Sequence, residues 1–278
     1  MFTKLFYHFY KKQQKLIGKG LFGTVVSAYD ENKQKIAIKH AHPNIYSTTM
    51  LMKEYKVLKM LDHPNIIKPV KLIIKETDVS LFPPYFDTNV SMILPYYKTD
   101  LLVYVNNTNN LNEYDIKMFI TAIVSALKHA HDKNIVHLDI KPENILMNND
   151  ISKCVLTDWG SSKFENEIEP TAISGNEVYT SPEMYSNMIC KTKYKIGKPA
   201  DIYSLGATVY SLITSLPITD RTSDNKYIPT QADNDKMIKK LHCSRLLKDL
   251  LIGMLQLDPE QRMTAHDILK HPFLSSHH

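Results

Sequence analysis

The prevailing spacing of apolar residues shifts from strand-like to helical along this chain, and that shift constrains the fold more than any single motif does. Up to about Tyr96 the sequence reads mainly as strands. Leu16 to Tyr29 is strand, Gly-rich turn, strand; Glu31-Asn32-Lys33 is a turn signal; Lys35 to His40 alternates as a short strand. Two further strand-like runs lie at Ile66 to Ile74 and Val90 to Pro95. One helix interrupts them, Ser47 to Leu61, with Leu51, Tyr55, Leu58 and Leu61 in one stripe. After Asp100 helices dominate. Glu113 to Asp132 is long and amphipathic, Asp201 to Ser215 is apolar nearly all round, and Thr264 to Asp267 is a capping box opening the last helix. The expectation is an α+β, bilobal chain. A β-rich lobe with one helix covers about residues 1–95, a connection about 95–100 and a mainly helical lobe about 101–274, with a ligand cleft between them.

The chain has 278 residues and is 43% apolar, enough to bury a sizeable core and too apolar for whole-chain disorder. No apolar run approaches a membrane span, and Met1 to Lys15 lacks the apolar core of a signal peptide. Cys154, Cys190 and Cys243 are widely spaced and odd in number, which fits an intracellular protein of cytoplasm or nucleus. The net charge of +5 is carried almost wholly by lysine; Arg221, Arg245 and Arg262 are the three arginines. The densest basic stretches, Lys11-Lys12 with Lys15 and Lys191 to Lys198, are short, so the charge reads as a solvated surface and not a direct nucleic-acid or membrane site.

Gly18-Lys19-Gly20-Leu21-Phe22-Gly23-Thr24-Val25 has GxGxxGxV spacing. Glycines there let backbone N–H groups approach phosphate oxygens, although a plain hairpin or a dinucleotide site uses the same pattern. No helix opens directly after it, which argues against the dinucleotide reading. In Ile36-Ala37-Ile38-Lys39 the alternation puts Ala37 and Lys39 on one face. Glu54 shares the apolar stripe of its helix, where a carboxylate needs a partner, and Lys39 is a suitable one; a snorkelling lysine and a helix-edge glutamate are the plain alternative. Asp139, Asn144 and Asp158 form the decisive set. Phosphoryl transfer asks for in-line positioning, neutralised charge and an acceptor for a hydroxyl proton. Asp139 suits the acceptor, Lys141 can reach the transferred phosphate, and Asn144 with Asp158, at the end of a strand Lys153 to Thr157, offers hard oxygens to Mg²⁺. Any one of these carboxylates is also an ordinary turn residue.

Together these residues resemble the eukaryotic protein-kinase superfamily from about Leu16 to Phe273. The resemblance includes His63-Pro64-Asn65-Ile66, Asp158-Trp159-Gly160, Ser181-Pro182-Glu183, Asp201 and Arg262. It implies ATP and Mg²⁺, with Mn²⁺ as an alternative. It also implies adenine between Val25 and Ala37 above and Leu146 below, Leu94 as gatekeeper, hinge contacts from Pro95 and Tyr97, and Asp100 at the ribose. Asp201 is expected to fix the catalytic-loop backbone and Arg262 to pair with Glu183. Lys141-Pro142-Glu143-Asn144 and Tyr179 to Glu183 resemble the serine/threonine branch. Overall similarity points to the baculovirus late serine/threonine kinases, which implies a viral enzyme acting on a basic, DNA-condensing protein.

Three positions depart from the family pattern. Leu138 stands where many kinases carry an arginine that pairs with an activation-loop phosphate, so activity is expected not to depend on phosphorylating Thr171 or Ser174. Trp159 replaces the usual Phe; it should fill the same apolar position beside His137, with an N–H in need of a partner. Asn176 stands where serine/threonine kinases usually have threonine. The competing reading is a pseudokinase scaffold, which predicts loss of a catalytic Lys, Asp or Asn; none is lost here.

Overall fold

The computed structural model describes residues 14–76, 88–108, 111–170, 178–216, 218 and 230–275. It divides into two compact units. One holds the described residues up to Asp62 and Ile66–Tyr97; the other holds His63–Asn65 and the described residues from Lys98 onward.

The first unit is an antiparallel sheet of β1 (Lys15–Gly20), β2 (Gly23–Tyr29), β3 (Lys35–Ala41), β4 (Lys71–Glu76) and β5 (Thr88–Pro95), in the order β1-β2-β3-β5-β4, with helix α1 (Ile45–Met60). The expected turn forms because the Asp30 carboxylate accepts the N–H groups of Asn32 and Gln34 at 2.9 and 2.7 Å while Lys33 takes φ 61°. Asn44 starts α1 by accepting the Ser47 N–H at 2.7 Å. One sheet face packs Ala28, Ile36, Ile38 and Ile93 together. The strand expected over Ile66 to Ile74 begins only at Lys71, since Pro69 has no N–H for a ladder.

The second unit contains β6 (Thr99–Asp100), α2 (Leu101–Asn107), α3 (Glu113–Asp132), β7 (Ile135–Val136), β8 (Ile145–Met147), β9 (Val155–Leu156) and β10 (Lys163–Phe164). These are followed by α4 (Pro182–Cys190), α5 (Lys198–Thr214), α6 (Gln231–Lys239), α7 (Arg245–Met254), α8 (Ala265–Lys270) and α9 (Pro272–Ser275). Helix α3 buries Ile116, Phe119, Ile120, Ile123, Val124 and Leu127, the stripe its period predicts. Helix α5 is buried nearly all round, as expected, and starts three residues early because Pro199 occupies its first turn. Two small sheets, β7 with β10 and β6-β8-β9, carry the loops described below. The strand expected over Lys153 to Thr157 shrinks to β9, because Asp150 caps a 3-10 turn at Ile151–Lys153. The Thr264 capping box is present, but α8 is not the last helix; Pro272 restarts a short one after His271.

Candidate active site

Within the first unit, strand register sorts the candidate residues by face. Val25 pairs with Lys39 and Lys39 with Met92; Ser27 pairs with Ala37 and Ala37 with Leu94. Paired residues and those two apart share a face, so Val25, Ala37, Lys39 and Leu94 line one side of the sheet. Gly18 pairs with Val25, Lys19 with Thr24 and Gly20 with Gly23, forming the hairpin of the Gly-rich turn. Gly23 is sterically required: a Cβ there would lie 2.0 Å from the His40 carbonyl oxygen. The pair expected from the sequence is present. Lys39 Nζ donates to Glu54 at 2.7 and 3.0 Å, and the Glu54 side chain is only 4% exposed. Pro95 ends β5 opposite Ile36, and Tyr97 follows it, with burial raising the Tyr97 phenol.

The second unit assembles the rest around one carboxylate. Asp201, in the first turn of α5 and 1% exposed, accepts the backbone N–H of His137 at 2.8 Å and of Leu138 at 2.9 Å. His131 Nε2 meets its Oδ2 at 2.9 Å. This clamp holds Leu138 at φ 68°, a left-handed conformation that costs a non-glycine residue about 1–2 kcal/mol. Leu138 is itself buried, in a cluster with Val136, Met184, Ile196 and Ala200 against which Ile168 packs.

The turn so held presents Asp139. Its Oδ2 accepts from Lys141 Nζ at 2.9 Å and from the Asn144 amide at 2.8 Å; Lys141 also reaches Oδ1 at 3.1 Å. Asn144 spends its N–H groups on Asp139, including the backbone oxygen at 2.7 Å, which leaves its amide oxygen for a cation. Asp158 is tied to the same loop through Thr157, whose N–H donates to the Asn144 carbonyl at 2.9 Å and whose carbonyl meets His137 Nε2 at 3.0 Å. Because His137 Nδ1 accepts the Asp139 N–H, the proton resides on Nε2. Asp158 follows at φ 58°. Trp159 stands as expected, 4.6 Å from the His137 ring in an edge-on contact, with its indole N–H donating to the Leu156 carbonyl at 3.3 Å. Among the described residues no three His, Cys, Asp or Glu side chains gather into a protein-only metal cage. One carboxylate and one amide oxygen are nevertheless a fitting donor set for Mg²⁺ carried in with phosphate.

The remaining candidates fall as follows. Leu146 lies in β8, paired with Asp100 and Val155. Asp100 uses Oδ1 to cap α2, accepting the Val103 N–H at 2.8 Å, a role the sequence reading missed. Glu183 and Arg262 pair as expected, at 2.8 and 3.1 Å. Thr171, Ser174, Asn176 and the terminal His277-His278 lie outside the described residues. His131 was not anticipated, although a histidine four residues after Leu127 on a buried stripe is a legible signal of a buried polar contact.

The family model described as "Protein kinase domain" matches residues 10–274. The chain is 28% identical to serine/threonine-protein kinase pakA of Talaromyces marneffei over 98% of its own length and 40% of that protein's. It is 29% identical to the probable serine/threonine-protein kinase MARK-A of Dictyostelium discoideum, covering 94% of this chain and 24% of the other. It is 28% identical to the human SNF-related serine/threonine-protein kinase, covering 94% and 33%. It therefore spans well under half the length of these curated relatives, and none of the three is viral. The match over residues 10–274, a β-sheet unit carrying a paired lysine and glutamate, and a helical unit carrying the Asp139 loop agree on one conclusion: the chain belongs to the protein kinase domain family, with the α+β fold that family implies.

Proposed function

We propose that this chain is an ATP- and Mg²⁺-dependent serine/threonine protein kinase. The observation that carries the reading is the Asp139 carboxylate, held by Lys141 and Asn144 on a loop whose backbone Asp201 clamps. Bound Mg²⁺ would neutralise charge on the transferred phosphoryl group, with Asn144 and Asp158 as its protein ligands. Asp139 orients the substrate hydroxyl and accepts its proton, and Lys141 offers its ammonium to the phosphoryl oxygens. Lys39, steadied by Glu54, holds the ATP phosphates. The Gly-rich turn Gly18 to Gly23 covers them, and Val25, Ala37, Leu94, Pro95, Tyr97, Asp100 and Leu146 receive the nucleoside. Relatives named as serine/threonine kinases support the branch. A basic protein is the substrate class to try first, on the resemblance of the sequence to baculovirus late kinases.

The direct test is transfer of labelled γ-phosphate to a panel that includes an arginine-rich protein, followed by phosphoamino-acid analysis. Phosphoserine and phosphothreonine are expected; phosphotyrosine as the main product overturns the branch. Glu54→Gln, which keeps the shape but loses the charge facing Lys39, is expected to lower kcat/KM about tenfold, roughly 1.4 kcal/mol of barrier. An unchanged kcat/KM removes Glu54 from the mechanism. The activity is also proposed to run without activation-loop phosphorylation. Leu138 cannot pair with phosphate, and its side chain is taken up in an apolar cluster. Thr171→Ala with Ser174→Ala is therefore expected to retain most activity, and a loss beyond about tenfold in kcat contradicts it.

A further inference from the structure

The residues after Asp158 return to the catalytic loop by pairing β10 with β7, Lys163 opposite Val136 and Phe164 opposite Ile135. The next residue, Glu165, makes the most connected contact of this stretch. Its N–H donates to the Asn134 carbonyl at 2.8 Å. Its carboxylate turns onto the start of α5, where Oε1 accepts the backbone N–H of Lys198 at 3.2 Å and Oε2 lies 3.3 Å from Lys198 Nζ. Lys198 Nζ completes the loop by donating to Asn134 Oδ1 at 2.7 Å.

Helix α5 needs such a group. Its N-cap, Gly197, has no side chain to satisfy the first N–H groups, and a carboxylate there also meets the positive end of the helix dipole. Gly197 is what lets Glu165 in, since a Cβ at that position would lie 2.5 Å from Oε1. Three residues along the same helix end, Asp201 clamps His137 and Leu138. One helix terminus thus sets both the loop that bears Asp139 and the segment that leads away from Asp158. Ile168, three residues beyond Glu165, packs on the Leu138 cluster as a second, apolar hold.

Building on the kinase reading above, we propose that Glu165 is a positioning residue. By capping α5 with its own carboxylate it anchors the segment after Asp158, and so does from within the chain what an added phosphate does in kinases that carry arginine at the position of Leu138. The cap, more than the ion pair, is the anchor: Glu165 and Lys198 are about a third exposed, where an ion pair contributes little.

The test compares Glu165→Ala, Glu165→Gln, Gly197→Ala and Lys198→Ala with the wild-type chain. Two measurements apply: kcat with KM for ATP, and the rate at which a glutamate-specific protease cuts after the exposed Glu167 under native conditions, read from the fragment ending there, since Glu169 precedes Pro170 and is not a cleavage site. Glu165→Ala is expected to raise that cutting rate about tenfold and to lower kcat about tenfold, with KM for ATP changed less than about twofold. Glu165→Gln keeps an oxygen acceptor for the Lys198 N–H and is expected to stay within about threefold of wild type on both measures. Gly197→Ala has room to push the carboxylate aside into an adjoining cavity of about 560 Å³ lined by Glu165, Gly197 and Tyr194. It is expected to match Glu165→Ala, and it keeps the test alive should that variant fail to fold. Lys198→Ala is expected to have a smaller effect than either. The proposal is overturned if Glu165→Ala and Gly197→Ala cut at the wild-type rate, or if Glu165→Gln is as impaired as Glu165→Ala. A wild-type chain that transfers no phosphate but shows the expected cutting pattern defeats the kinase reading and leaves the anchor standing.

Discussion

Asp139→Asn is expected to lower kcat by about a thousandfold, roughly 4 kcal/mol of barrier, while nucleotide binding persists. The substitution is close to isosteric, and its surroundings tolerate it. Lys141 Nζ and the Asn144 amide both donate to Oδ2, so an asparagine can place its carbonyl oxygen there and keep those two hydrogen bonds, giving up only the 3.1 Å contact of Lys141 with Oδ1. The proton-accepting carboxylate and its negative charge are what is lost. Binding should survive because nothing in the loop's scaffold changes; Asp201 holds the backbone N–H groups of His137 and Leu138 whatever the side chain at 139. The chain's single tryptophan, Trp159, adjoins Asp158 and stacks edge-on against His137, which makes its fluorescence the natural reporter of Mg-ATP binding. The expected pair of results is a lost rate and a fluorescence titration within about threefold of wild type. A kcat within tenfold of wild type would remove Asp139 from its role.

Much of this arrangement was legible in the sequence, and the illegible parts have separate physical causes. Lys39 and Glu54 were readable because a carboxylate on a buried helix stripe must find a cation, and the alternation of β3 supplied one. Helix α3 was readable to the residue, since a period near 3.6 is a local signal. The β4 and β9 boundaries were not, because a proline and a 3-10 turn trimmed strands whose apolar content looked sufficient. Asp100 as a helix cap is a local signal, but the family resemblance assigns the same side chain to the ribose and so hides its hydrogen bond to the Val103 N–H. Glu165 offers no local signal beyond its place in an acidic run with Glu167 and Glu169. Its contact with α5 joins residues over thirty positions apart, and no local pattern announces a helix whose cap arrives from elsewhere. Leu138 shows both sides. Its departure from the family motif was plain in the sequence. That the leucine would be buried in a left-handed turn, with an apolar cluster where others hold a charge, depended on tertiary packing.

Arg262→Ala is expected to destabilise the second unit by about 3–5 kcal/mol, a large part of the roughly 5–15 kcal/mol that holds a domain together. The Arg262 side chain is fully buried, and its guanidinium makes five hydrogen bonds. Two go to the Glu183 carboxylate at 2.8 and 3.1 Å, and the others to the carbonyls of Pro199, Gln256 and Leu257 at 2.7, 2.9 and 3.3 Å. Five donors thus meet five acceptors, and the guanidinium also lies 5.1 Å from the centre of the Tyr203 ring. Truncation does more than delete a pair: it leaves a carboxylate that is 5% exposed without its counter-charge, together with three carbonyls that have lost a donor. Arg262→Lys keeps the charge but cannot form the planar fork, so it should be intermediate, about 2 kcal/mol. The double variant Arg262→Met with Glu183→Leu removes both charges and should be markedly more stable than Arg262→Ala, by at least about 1 kcal/mol, because the cost lies in the orphaned carboxylate more than in the missing attraction. Urea unfolding followed by Trp159 reads the second unit, since that residue lies wholly within it. A loss below about 1 kcal/mol for Arg262→Ala, the size of a surface ion pair, would show that Glu183 finds water or another partner once the arginine is gone.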